Sequence, residues 1–159
     1  MASDHVLRLG KLLGNLQSLE TLLRVYLLKV GSGDSVVKKP YWDLVVGDIV
    51  DDDEFSNYDT LGKLVEKYNL DIAKRESSLC IDHQLIAVRD LLAHGRIAAA
   101  AADTASLKVV KFDKPRGGKA VVSASVLMDD AWFDANIANC MVQIENVASA
   151  IQKFAPKAS

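Results

Sequence analysis

The residues best equipped for chemistry lie in one stretch, Arg89-Asp90-Leu91-Leu92-Ala93-His94-Gly95-Arg96. An imidazole titrates near neutrality, so His94 can act as general acid or base. The guanidinium of Arg89 is permanently charged and offers a planar fork of donors. Asp90 and His94 are four residues apart. On a helix that spacing lets the carboxylate reach the imidazole and fix its tautomer. A proton-transfer group, a cation and an orienting carboxylate thus share a short segment.

The elements that position this segment follow from apolar periodicity. A helix is expected from Ser77 or Ser78 to Ala93 or His94, with Gly95 as its stop. Ile81, Leu85, Val88, Leu91 and Leu92 share one face, and Leu79, Ile86 and Ala93 are apolar elsewhere. A helix apolar on most sides is central to a fold or buried between subunits. At about 100° per residue His83, Asp90 and His94 project on one side, with Arg89 on another, near Asp82. His83 and His5 read most simply as non-catalytic, although His83 shares the face of Asp90.

A long first helix is expected over 3–30, capped by Ser3 or Asp4, with leucines at three- and four-residue steps. Glu20 falls within its apolar stripe. Either it reaches water at the stripe's edge or it holds a buried cation, for which Arg89 is the candidate. Gly31 to Ser35 ends this helix. An irregular stretch over 36–57 follows, with a short turn or helix near Tyr41 to Val46. Asp51-Asp52-Asp53-Glu54 lacks the spacing and glycine of a calcium loop and reads as a solvated acidic loop. A second helix runs from Thr60 to Asn69, capped by Asp59 or Thr60, with Ile72 and Lys74 in the connection after it. Ile97 to Ala105 is an alanine-rich connection or short helix. Leu107–Phe112 and Ala120–Leu127 alternate as the arms of a β-hairpin. The hairpin carries Lys108, Lys111, Lys114, Arg116 and Lys119 and a single acid, Asp113. That pattern suits an edge ribbon protected by lysines or a contact to phosphate. A final helix begins near Asp129 or Asp130 and ends near Phe154.

The expected architecture is all-α, a bundle of four helices, five at most, in a single domain over 1–159, with an inserted hairpin near 107–127. Half of the residues are hydrophobic, enough for a core without disulfides or metal. Net charge is -2, which argues against coating nucleic acid through bulk charge. Cys80 and Cys140 lie on apolar stretches and read as buried thiols in a reducing compartment. The two cysteines and three histidines match no zinc pattern, and no cofactor is expected. Arg8, Lys11, Glu20 and Arg24 interrupt the first helix, and no targeting segment is legible. A soluble cytoplasmic protein with no membrane partner is expected.

Arg89, four residues, then His94 near the end of a helix resembles the signature of the HEPN superfamily. Family members commonly carry a polar residue, often Asn, directly after the arginine; Asp90 stands there in this chain. A long first helix with a polar residue in its core face, a short second helix, the motif helix and a long last helix extend the resemblance over most of the chain. The resemblance implies a homodimer whose motif helices meet, so that two arginines and two histidines line one cleft. It implies metal-independent RNA cleavage in active members, often toxins of toxin–antitoxin or phage-defence systems with a cognate antitoxin. Other members only bind RNA or protein partners. Members paired with a nucleotidyltransferase antitoxin often have tyrosine two residues after the histidine, where Arg96 stands here. On this reading Arg89, Asp90 and His94 are catalytic, Arg96 and the hairpin cations bind substrate, and Glu20 and His83 support. RNA cleavage by the 2′-hydroxyl needs a base, an acid and positive charge on the phosphate, which two His94 and two Arg89 would supply. A carboxylate at position 90 repels phosphate unless it is paired. Pairing with Arg89 or Arg96 would make the cluster a structural one.

Overall fold

The computed structural model describes residues 2–31, 43–99 and 106–156. Helix dominates: α1 spans Ala2–Tyr26, α2 Leu61–Arg75, α3 Gln84–His94 and α4 Asp130–Phe154. Three strands, β1 (Arg96–Ala99), β2 (Leu107–Phe112) and β3 (Val122–Met128), form one antiparallel sheet in the order β1-β2-β3. Residues 1–18 and 82–142 make one compact unit, and 19–81 with 143–159 make another. Among the described residues, no helix is long and apolar enough to cross a membrane.

In the first unit the sheet and α3 are built around each other. Val109 lies opposite Ile97 and Val126, and Leu107 lies opposite Ala99 and Met128. Side chains alternate across a strand, so these residues share the face that packs on α3. Val109 and Met128 are buried there, as are Leu85, Val88 and Leu91 of α3; Phe133 and Ile137 of α4 are buried as well. The chain passes from α3 into β1 at Gly95, whose N–H donates to Leu91 O at 2.8 Å. Gly95 does not stop the helix in the left-handed conformation; its φ is -78°. Glycine is required for another reason. A Cβ there would overlap Val109 Cγ2 and the Leu91 carbonyl oxygen.

The expected hairpin is present, with a tight turn between Arg116 and Lys119. Their backbones exchange hydrogen bonds at 2.9 and 3.1 Å, and Gly117 and Gly118 take φ of 57° and 75°. Two successive positive φ values match the twist of a two-residue hairpin turn. The third strand was not expected. Arg96–Ala99 pairs along β2, where an alanine-rich connection or short helix was anticipated. The rest of that expectation, 100–105, lies outside the described residues. An Asp129 carboxylate accepts from Trp132 N at 2.8 Å and opens α4, as its cap position requires.

In the second unit α2 outruns its expected end at Asn69 by six residues and takes in Ile72 and Lys74. Leu61, Leu64, Val65, Tyr68 and Ile72 form one buried stripe, so the apolar period continues through the asparagine. The Asn69 side chain does not end the helix. It accepts from Ile81 N at 2.8 Å and donates to Ile81 O at 3.0 Å. Tyr68 donates to Leu79 O. These contacts accompany a break in the helix at Cys80 and Ile81, leaving only a short 3-10 turn at Ser77–Leu79 before it. In consequence α3 begins at Gln84 rather than at Ser77 or Ser78. Thr60 caps α2, its hydroxyl accepting from Lys63 N. The first helix starts at Ala2, upstream of both expected caps, and widens into a π-helical turn over Leu27–Gly31. The expected loop at Ser32–Ser35 and the first two residues of the turn near Tyr41–Val46 lie outside the described residues; at the far end of that stretch Asp48 N donates to Val45 O at 3.1 Å, closing a turn.

Candidate functional site

The last turn of α3 presents Asp90 and His94 on one side. Their Oδ1 and Nε2 atoms are 3.6 Å apart, longer than a good hydrogen bond. The His94 side chain is 63% exposed, so it is open to an incoming ligand. Asp90 Oδ2 accepts from Lys111 Nζ, which reaches across from β2. That ammonium holds the Asp90 carboxyl below its ordinary range, and desolvation opposes the shift; His94 and Arg89 add to it more weakly.

The cation beside Asp90 is therefore neither Arg89 nor Arg96. Lys111 sits on the sheet face that carries Val109, and α3 packs on β2 there. Its charge offsets the repulsion a carboxylate would exert on a phosphate at His94. Arg89 is half-buried on α3 and forms no ion pair with any described carboxylate. Five residues along a helix turn by about 140°, so Arg89 and His94 diverge within one chain. Arg96 lies on the opposite sheet face from Lys111, its guanidinium 5.2 Å from the centre of the Phe112 ring. Lys108 is exposed on that same face, and Lys114, Arg116 and Lys119 are exposed at the hairpin end.

Two supporting residues are placed otherwise than expected. Glu20 does not hold Arg89. It pairs with Arg24, one turn on in the same helix, at 3.1 Å. Arg24 is the more consequential residue: its side chain is only 12% exposed. It donates to Asn57 O and Oδ1, both at 3.0 Å, to Asp59 O at 2.7 Å and to Glu54 O at 3.3 Å. His83 is the residue before α3, with no capping side-chain bond. Seven residues put it about 10 Å from Asp90 along the helix axis, so the two do not form one cluster.

The acidic loop is partly structural. Asp53 accepts from Phe55 N and Ser56 N, and Glu54 pairs with Lys67, while Asp51 and Asp52 are exposed. Among the described residues no group of His, Cys, Asp and Glu is placed to hold a metal ion. His5 is buried, with Nε2 3.4 Å from Asp130 and its ring against Phe133.

Two pairings were not expected from the sequence: Arg24 with Glu20, and Lys111, expected to bind substrate, with Asp90. The spacing of Glu20 and Arg24 was a readable signal for their pair. Nothing in the pattern of β2 announced that Lys111, among five hairpin cations, would meet Asp90. Comparison with protein-family models, curated proteins and solved structures gives no match.

Proposed function

We propose that this chain is a metal-independent endoribonuclease of the HEPN type, a helical bundle with an inserted hairpin that works as a homodimer. The observation that carries the reading is an exposed His94 at the end of α3, beside a carboxylate already neutralised by Lys111. In this scheme one His94 takes the proton of the 2′-hydroxyl and its symmetry mate protonates the leaving 5′-oxygen. Both roles need two histidines, and the motif of one chain supplies one. The divergence of Arg89 from His94 favours the same conclusion, since apposed motif helices let an arginine of one chain face the histidine of the other. Arg89 then offers its fork to the phosphate as charge develops on it. Asp90 orients the imidazole, and Lys111 keeps Asp90 from opposing the substrate. A toxin role with a cognate antitoxin partner is part of the same proposal, resting on the motif.

The test is cleavage of total cellular RNA in EDTA by wild type and His94→Ala, with mass measured by light scattering. Cleavage by wild type alone, at dimer mass, is expected. Activity that needs a divalent metal, or that survives in His94→Ala, would sink the mechanism.

One observation favours a second reading. Asp90 is engaged by Lys111 across two elements, as a structural ion pair would be. The chain would then be a non-catalytic HEPN-like module that binds RNA or a protein. In that case Asp90→Asn and Lys111→Met lower the melting temperature and no RNA product forms under any condition.

A further inference from the structure

The sheet has a second face, turned away from α3, that the site at His94 does not use. It carries Arg96, Lys108, Val110 and Phe112, with Leu127 and Val122 beside them. Phe112 is 39% exposed, Val122 52% and Leu127 49%. An aromatic ring and two large aliphatic side chains are thus in water on one small sheet. An edge ribbon shielded only by lysines has no need to expose them.

Charge says what covers this face. No strand of the sheet contains an acidic residue. Over 96–99 and 106–128 there are six cations and one carboxylate, Asp113, in a chain whose net charge is -2. One cation, Lys111, is spent on Asp90 from the other face. The cations on this face and at the hairpin end make no ion pair with any described carboxylate. Arg96 lies over the Phe112 ring, which gives a flat, positively charged platform. Aromatic rings and guanidinium planes are the surfaces on which unpaired bases stack, with lysines tracking the backbone.

We infer that the outer sheet face binds a single-stranded RNA segment, one base stacking on the Arg96/Phe112 pair while Lys108 and the hairpin cations follow its phosphates. This rests on the RNA-directed reading above and names the subsite and strandedness of its substrate. Only Gly95 separates Arg96 from His94, a span of about 7 Å of extended chain. A strand held at Phe112 can therefore continue around the β1 edge to the imidazole. Stacking requires an unpaired base, so the platform selects loops and tails over duplex.

The experiment measures binding of a fluorescein-labelled twelve-nucleotide oligouridylate by anisotropy in EDTA. All proteins carry His94→Ala so that cleavage does not intervene. Phe112→Leu keeps an apolar strand residue, Phe112→Tyr keeps the ring, and melting temperatures are recorded for both. Expected are an affinity loss of about ten-fold for Phe112→Leu, near-parental binding for Phe112→Tyr, and little effect of either on a duplex RNA of equal length. Arg96→Gln, a surface change, should weaken binding several-fold. Unchanged affinity in both Phe112→Leu and Arg96→Gln overturns the inference. So does an equal loss on duplex, which would mean charge without stacking. No affinity of the parental protein for the oligonucleotide also overturns it and assigns the face to a protein partner. Binding that depends on Phe112, with no cleavage by His94-containing protein, would sink the ribonuclease and leave the platform. Cleavage with binding indifferent to Phe112 would do the reverse.

Discussion

Asp90 is the residue on which the chemistry proposed for the motif turns. A free carboxylate there would push phosphate away from His94, and an asparagine would not. Lys111 resolves the conflict by bonding one carboxylate oxygen while the other faces the imidazole. If the chain is the ribonuclease proposed above, Lys111→Met should therefore cost activity without touching His94. Cleavage is expected to fall at least ten-fold, and the Asp90 carboxyl should titrate higher, toward its ordinary range, in a carboxylate-resolved NMR titration. The double change Lys111→Met with Asp90→Asn should recover part of the loss, because the unpaired charge is gone with its partner. No recovery would mean that Asp90 is needed as a carboxylate. Gly95 makes the companion point for stability. Its backbone angles suit any residue, so only the approach of Val109 and the Leu91 carbonyl demands glycine. Gly95→Ala forces backbone and strand apart, and overpacking of this kind costs about 1–3 kcal/mol. Chemical denaturation measures it, and a neutral result would refute the packing account.

Between residue and whole chain, the elements show what the sequence could and could not disclose. Long apolar periods read well: α1, α4 and the hairpin lie close to where leucine spacing, Asp129 and the Gly117-Gly118 turn put them. The misplaced boundaries of α2 and α3 share one cause, polar side chains used across the chain rather than locally. Asn69 looked like a helix end and instead clasps Ile81. That clasp, with Tyr68 on Leu79 O, delays α3 to Gln84 and leaves His83 off its face. β1 was illegible because Ile97-Ala98-Ala99 has no alternation to read; only pairing with β2 makes it a strand. Of the site, the Asp90–His94 pair was legible from helical spacing, whereas its lysine came from a strand and was not. Arg24 fastens 54–59 to α1 in the same long-range way, through three backbone carbonyls and the Asn57 side chain. Arg24→Ala strips those acceptors and leaves Glu20 unpaired at a half-buried position. Removing one partner of such a cluster costs about 3 kcal/mol. Arg24→Lys should recover little, because an ammonium cannot present the planar fork. Limited proteolysis gives the second readout: cleavage within 51–59 should appear in Arg24→Ala before the rest of the chain is cut. A globally destabilised protein with that loop still protected would contradict the anchoring role.

For the whole molecule, titration predicts a stability plateau with different causes at its two ends. On the acid side Asp59, Asp71 and Asp90 all sit below their ordinary range. Lys67 does this for Asp59 and Lys111 for Asp90; burial alone would raise Asp71, and hydrogen bonds from Tyr26 and Arg75 outweigh it. A carboxylate with a depressed native pKa stabilises the fold above its unfolded value, near 3.8. That contribution drains as pH falls through the native value, because the unfolded chain takes up the proton first. On the alkaline side burial pushes the Cys140 thiol up to about 11 from 9.0. Burial also raises the phenols of Tyr26 and Tyr68, with Asp71 adding to the shift of Tyr26. These groups favour the fold while neutral, so their contribution is full below the unfolded values and lost as pH climbs through them. Urea midpoints should therefore be flat from about pH 5 to 8, fall below about 4 and fall again above about 9. Asp59→Asn together with Asp71→Asn should lower the plateau and shallow the acid limb, while Cys140→Ala should delay the onset of the alkaline one. A midpoint that rises on acidification below pH 4, or an acid limb of undiminished depth in the double variant, would show that these buried and paired groups do not govern the stability of the chain.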